Sequence, residues 1–173
     1  EKCGKVAVID HHRKGVGYIQ NPDLVCHEPY SSSASELVTE LLQYVGDRDD
    51  KPNRVEAEGL LSGIMLDTRD FTLHTGVRTF EAAAALRRYG AETERVRQLF
   101  DVTMVEYNAK AGLVEKAKMY RNCAISIGGE VAAEARVAIA QAANDLLTIQ
   151  GVDASFVAVQ VGTGVNVSAR SLG

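Results

Sequence analysis

The chain has 173 residues, is 46% hydrophobic and carries a net charge of -4, with a pI near 5.6. That length suits one substantial domain or two small ones, and the acidic balance leaves no whole-chain footprint for duplex nucleic acid. Cys3, Cys26 and Cys123 form no Cys-x-x-Cys pair, which argues for free thiols in a reducing, cytoplasmic setting and against a disulfide framework. No apolar run is long enough to cross a bilayer as a helix.

In chain order, the apolar run at residues 5–9 predicts a strand buried on both faces. It delivers Asp10, His11 and His12 to the carboxyl edge of a sheet, where open α/β sheets place their ligand sites. Imidazole plus carboxylate suits a divalent metal such as manganese, zinc or iron, and the plainer alternative is a solvated turn. Residues 24–28 predict a second strand after the turn Asn21-Pro22-Asp23. Ser33 with Glu36 fits a capping box opening a helix that Gly46 would stop. Asn53 with Glu56 opens a second helix that runs into Asp67.

An alanine-rich helix at 77–89 ending at Gly90, a short helix at 93–101 and a long one at 105–120 follow. Then come a strand at 123–127, an amphipathic helix at 133–147 and two strands at 155–161 and 165–170 around Gly162-Thr163-Gly164. The fold class is α/β. The organisation expected is an N-terminal α/β part at 1–104, a connecting helix at 105–120 and a smaller βαββ part at 121–173.

Asp67 closes a segment apolar enough for a core, so its carboxylate needs a metal or a cation such as Arg69 or Arg78. The run Ser31-Ser32-Ser33-Ala34-Ser35 reads as a helix cap, with a phosphate cradle as the alternative. His27 and His74 read as surface or hydrogen-bonded residues. Arg170 lies on the opposite strand face from Val165 and Val167, and is expected to point outward. Taken alone, these features support an α/β protein with a candidate metal and phosphate site.

In combination they say more. Val8-Ile9-Asp10-His11-His12-Arg13, then Glu28-Pro29-Tyr30-Ser31-Ser32-Ser33, then Gly63-Ile64-Met65-Leu66-Asp67-Thr68-Arg69 with Phe71, resemble the DHH phosphoesterase superfamily. The run Thr75-Gly76-Val77-Arg78-Thr79-Phe80 and Ser168-Ala169-Arg170-Ser171 narrow the likeness to the catalytic module of membrane-anchored cyclic-di-AMP phosphodiesterases. The resemblance implies a DHH domain and a DHH-associated domain with the active site in the cleft between them. It implies two manganese ions and hydrolysis of a cyclic dinucleotide, cyclic-di-AMP, to the linear form. By position, His11 and Asp67 would be metal ligands, Asp10 would orient His11, His12 would face the substrate phosphate, and Ser168 and Arg170 would hold the substrate.

The family's remaining metal ligands precede the Asp-His-His strand, and a glycine-rich histidine motif follows the Ser-x-Arg strand. This chain opens nine residues before Asp10. It is therefore expected to be a piece of a longer, membrane-anchored protein, to bind manganese weakly by itself and to be inactive alone. An uncovered sheet edge would favour a homodimer. The alternatives are a phosphatase of short oligonucleotides or adenosine bisphosphate, and a non-catalytic nucleotide-binding regulatory module.

Overall fold

The computed structural model describes residues 4–44, 51–130 and 136–172. They form two compact units, residues 1–101 and 102–173. The expected stop at Gly46 and the first turn of the helix placed at 133–147 lie outside the described residues.

In the first unit, β1 (Ala7–Asp10) and β2 (Leu24–His27) pair in parallel, with Ala7 opposite Leu24 and Asp10 opposite His27. Both strands therefore end at the same edge. The segment between them is tied down where Asp23 Oδ2 accepts the Val6 amide at 2.7 Å. Burial of β1 on both faces is not what the structure has. Val8 is buried, whereas Ala7 is exposed and Ile9 and Asp10 are half-buried. The described strands make a two-stranded ribbon on which α1 (Ala34–Tyr44) packs, so one face of β1 finds cover.

The core of this unit lies among helices. α2 (Arg54–Asp67) opens with the expected capping box, Asn53 Oδ1 accepting from Glu56 N and Glu56 accepting from Asn53 N. It packs on α3 (Val77–Arg88) and α4 (Thr93–Gln98) through Ala57, Leu61, Ile64, Ala82, Leu86 and Val96. Helix α3 ends in a Schellman motif. Gly90 takes φ +98°, Ala91 N donates to Leu86 O and Gly90 N to Arg87 O, as its glycine predicted. Gly63 lies where α2 passes Ser35 of α1. A Cβ there would come 2.1 Å from Ser35 Oγ and 3.1 Å from its Cβ.

In the second unit, the helix expected at 105–120 is shorter. α5 (Met104–Glu115) starts with a Thr103–Glu106 capping box and gives way to a strand, β3 (Lys118–Tyr120). Tyr120 turns back through Arg121, at φ +54°, into β4, and antiparallel pairing with that strand outweighs continuing the helix beyond Glu115. β4 (Cys123–Glu130) continues through Gly128 and Gly129, with an irregular register after Ile127. α6 (Arg136–Leu146) then leads to β5 (Ala154–Val161), parallel to β4, and β6 (Gly164–Ser171) returns antiparallel. The sheet order is β3-β4-β5-β6. Helix α5 packs on α6 and β4, and Leu113 joins Ile139, Leu146, Val157 and Val159 in this unit's core.

Gly63→Val should destabilise the first unit by about 1–3 kcal/mol through overpacking against Ser35. Urea unfolding checks this, and adding Ser35→Gly should restore most of the loss.

Candidate functional site

Parallel pairing sends the carboxyl ends of β1 and β2 to one edge, where they meet the end of α2 and the start of α3. These elements line a cavity of about 780 Å³ that includes His11, Tyr30, Ser31, Ser32, Asp67, Phe71, His74 and Phe80. Within it His11 Nε2 lies 3.5 Å from Asp67 Oδ2, the two side chains being 17% and 39% exposed. The pair is thus formed from residues that nothing local joins. His74, expected as an isolated surface or hydrogen-bonded residue, lines the same cavity.

The other sequence candidates take different places. Asp10 Oδ1 accepts from the backbone amide of His12 at 3.0 Å and lies 2.9 Å from His12 Nδ1, so the carboxylate engages His12 rather than the ring of His11. These contacts hold the Asp10 carboxyl below its ordinary value, the backbone amide acting most strongly. His12 itself is 78% exposed and stacks at a tilt on His11, with ring centroids 4.3 Å apart. His27 Nε2 donates to His12 O at 2.6 Å, a hydrogen-bonded histidine as expected.

Arg78 is taken by Glu40, through a fork at 2.7 and 2.6 Å, and not by Asp67. Arg170 and Ser168 lie in the second unit, and the expectation that Arg170 points outward is overturned. Along β6 the valines Val165 and Val167 are the exposed set, whereas Ser168 and Arg170 fall on the half-buried face. There Arg170 Nε donates to Asn144 Oδ1 of α6 at 3.0 Å. The apolar residues of a single strand did not mark the covered side, because α6 covers the other face.

The serine run is built around a buried carboxylate. Ser33 caps α1 as expected, accepting from Glu36 N at 3.0 Å. Glu36, 2% exposed, completes the arrangement with other partners. Ser31 Oγ donates to its Oε1 at 2.8 Å and Ser32 Oγ to its Oε2 at 2.5 Å, while Thr79 and the Ser32 backbone donate as well. Burial pushes the carboxyl up, and these donors more than reverse it, so the group is held below its usual 4.5. With both hydroxyl protons directed at Glu36, the serines act as a structural cap rather than a hydroxyl cradle for phosphate.

The turn after α2 is strained. Arg69, Asp70 and Phe71 take φ of +46°, +60° and +64°, and His74 takes +48°. Left-handed backbone costs a non-glycine residue about 1–2 kcal/mol. A Schellman pattern holds it, with Asp70 N donating to Met65 O at 2.8 Å and Arg69 N to Leu66 O at 3.3 Å. Fully buried Thr68 adds a post: its hydroxyl donates to Ile64 O and accepts from Phe71 N, and its carbonyl accepts from Leu73 N. No sequence signal marks this turn, since arginine stands where glycine is the usual cue.

His11 Nε2 and Asp67 Oδ2 are two donors of the kind a divalent cation takes. No group of three or more His, Cys, Asp or Glu side chains able to hold a metal occurs among the described residues. The pair therefore fits part of a metal site and not a complete dinuclear one. No helix among the described residues is long and apolar enough to cross a membrane.

Comparison with known proteins follows the same lines. Residues 1–64 match the family model described as DHH family, N-terminal domain. Over 174 residues the chain is 49% identical to the cyclic-di-AMP phosphodiesterase GdpP of Geobacillus thermodenitrificans, covering 99% of this chain and 26% of that protein. It is 43% identical over 175 residues to the cyclic-di-AMP phosphodiesterase PdeA of Listeria monocytogenes, covering 100% and 26%. The GdpP of Bacillus subtilis is 47% identical over 176 residues, covering 99% and 27%. The chain thus spans about a quarter of the length of these relatives. The crystal structure of an exopolyphosphatase-related protein from Bacteroides fragilis shares the fold, with a TM-score of 0.83 at 21% identity over 98% of this chain and 52% of that one.

Glu36→Gln should cost about 1–3 kcal/mol at neutral pH by disturbing the buried hydrogen bonds. Because the folded carboxyl is held below 4.5, its contribution is complete above that pH and fades as pH falls through the folded value. Urea titrations at neutral and acid pH should show the gap between the two proteins closing on acidification.

Proposed function

We propose that this chain, whose residues 1–64 match the DHH family model, is the catalytic module of a metal-dependent phosphodiesterase that opens cyclic-di-AMP to the linear dinucleotide. The observation that supports this most is the facing of His11 Nε2 and Asp67 Oδ2 at 3.5 Å on the wall of the cavity.

In this reading His11 and Asp67 are two ligands of a divalent-metal set, manganese by the family resemblance, and no third His, Cys, Asp or Glu joins them among the described residues. A divalent ion held by His11 and Asp67 would supply Lewis-acid chemistry there, acidifying water and neutralising charge on phosphate oxygens. The chain's own residues do the rest. Asp10 fixes the ring of His12 through Nδ1, which leaves Nε2 for a phosphate oxygen when the ring carries both protons. Asn144 takes Nε of the Arg170 guanidinium and the Ala169 carbonyl takes Nη1, and the Nη2 donors are those we assign, with the Ser168 hydroxyl, to the substrate.

The test compares this chain with a longer protein carrying it, each supplied with manganese and cyclic-di-AMP. The longer protein should turn over, and the isolated chain should bind manganese weakly and not turn over. In the longer protein, Asp10→Asn should lower kcat/KM by roughly 10–100-fold and His11→Ala by more. No turnover by the longer protein, or a His11→Ala variant of undiminished activity, would overturn the assignment, and turnover by the isolated chain would show that its own residues complete the metal set. A preference for linear oligonucleotides or adenosine bisphosphate over the cyclic compound would replace the substrate.

A further inference from the structure

We propose that Phe71 and Phe80 form a stacking platform for a nucleobase, so that the cavity in the first unit selects a base-bearing phosphoester over a base-free one. The proposal rests on the phosphodiesterase reading of the same cavity and adds what recognises the organic part of the substrate.

Both rings line the cavity that holds His11 and Asp67. They lie nearly parallel, with centroids 5.7 Å apart and planes inclined by 16°. Phe71 packs against the core of the first unit, which anchors the pair, whereas Phe80 is 57% exposed. A phenylalanine left this open beside polar groups gains little from its own fold. A flat heterocycle laid on its outer side would extend the stack. Phe71 is also the last residue of the strained left-handed turn, and its amide is pinned to Thr68 Oγ1 at 3.0 Å. Strain held in place by a buried post fits a turn whose job is to present a side chain.

Among the described residues of the lining there is no lysine or arginine, and the polar groups are histidines, hydroxyls and Asp67. Stacking on an aromatic ring is available to any base, so the platform requires that a base be present and leaves its identity to other contacts.

The experiment titrates this chain with AMP and with ribose 5-phosphate, followed by NMR saturation transfer and chemical-shift change. AMP should bind about tenfold tighter, with saturation strongest on the adenine C2 and C8 protons. Phe80→Ala should erase that advantage and leave ribose 5-phosphate binding as it was, and Phe80→Tyr should keep it. An unchanged thermal melt shows that the variants remain folded. Equal binding of the two ligands, or an equal weakening of both by Phe80→Ala, overturns the platform while the phosphate reading stands. Binding of neither ligand overturns the platform and the cavity reading together.

Discussion

A single buried carboxylate organises the first unit. Glu36 sits at the start of α1 and gathers hydrogen bonds from Ser31 and Ser32, which follow β2, and from Thr79 in the first turn of α3. Thr79 in turn accepts the Gly76 amide at the start of α3. One side chain of α1 therefore ties the loop leaving the sheet to the start of α3, and both of these line the cavity. A buried charge is tolerable only when fully hydrogen-bonded, so each of these donors holds the others in place. The cavity wall at Ser31, Ser32 and Gly76 is a consequence of that constraint.

The opposite wall depends on strain. Helix α2 ends in the way glycine-terminated helices do, but with Arg69 in the left-handed position and two more left-handed residues after it. Thr68, fully buried, secures this with its hydroxyl and its carbonyl. The turn sets Asp67 opposite His11 and Phe71 beside Phe80. The polar and aromatic halves of the cavity are in this sense products of one helix terminus.

Much of the fold was legible in the residues. The N-cap at Ser33, the capping box at Asn53 and the Schellman glycine at Gly90 mark helix ends by interactions spanning a few residues, and these appear in the structure. Other expectations failed where cover comes from distant chain. β1 reads as buried on both faces but is half-covered, since α1 packs on a two-stranded ribbon. Val165 and Val167 read as the inner face of β6, yet α6 lies over the face carrying Ser168 and Arg170. The helix continuing to residue 120 was stopped by pairing of Lys118–Tyr120 with β4.

The sequence by itself determined the element types outside Lys118–Tyr120, the helix caps at Ser33, Asn53 and Gly90, the motif at the end of β1 and the family likeness. Each of these is carried by contiguous residues whose preferences act over a turn or a strand. Only the tertiary structure decided that His11 meets Asp67, that Asp10 serves His12, that Glu36 binds serine hydroxyls, and that His74 and the Phe71–Phe80 pair belong to the cavity. Those outcomes depend on which distant surfaces are buried together, and burial sets the cost of every unpaired charge and uncovered ring in a way no local pattern records.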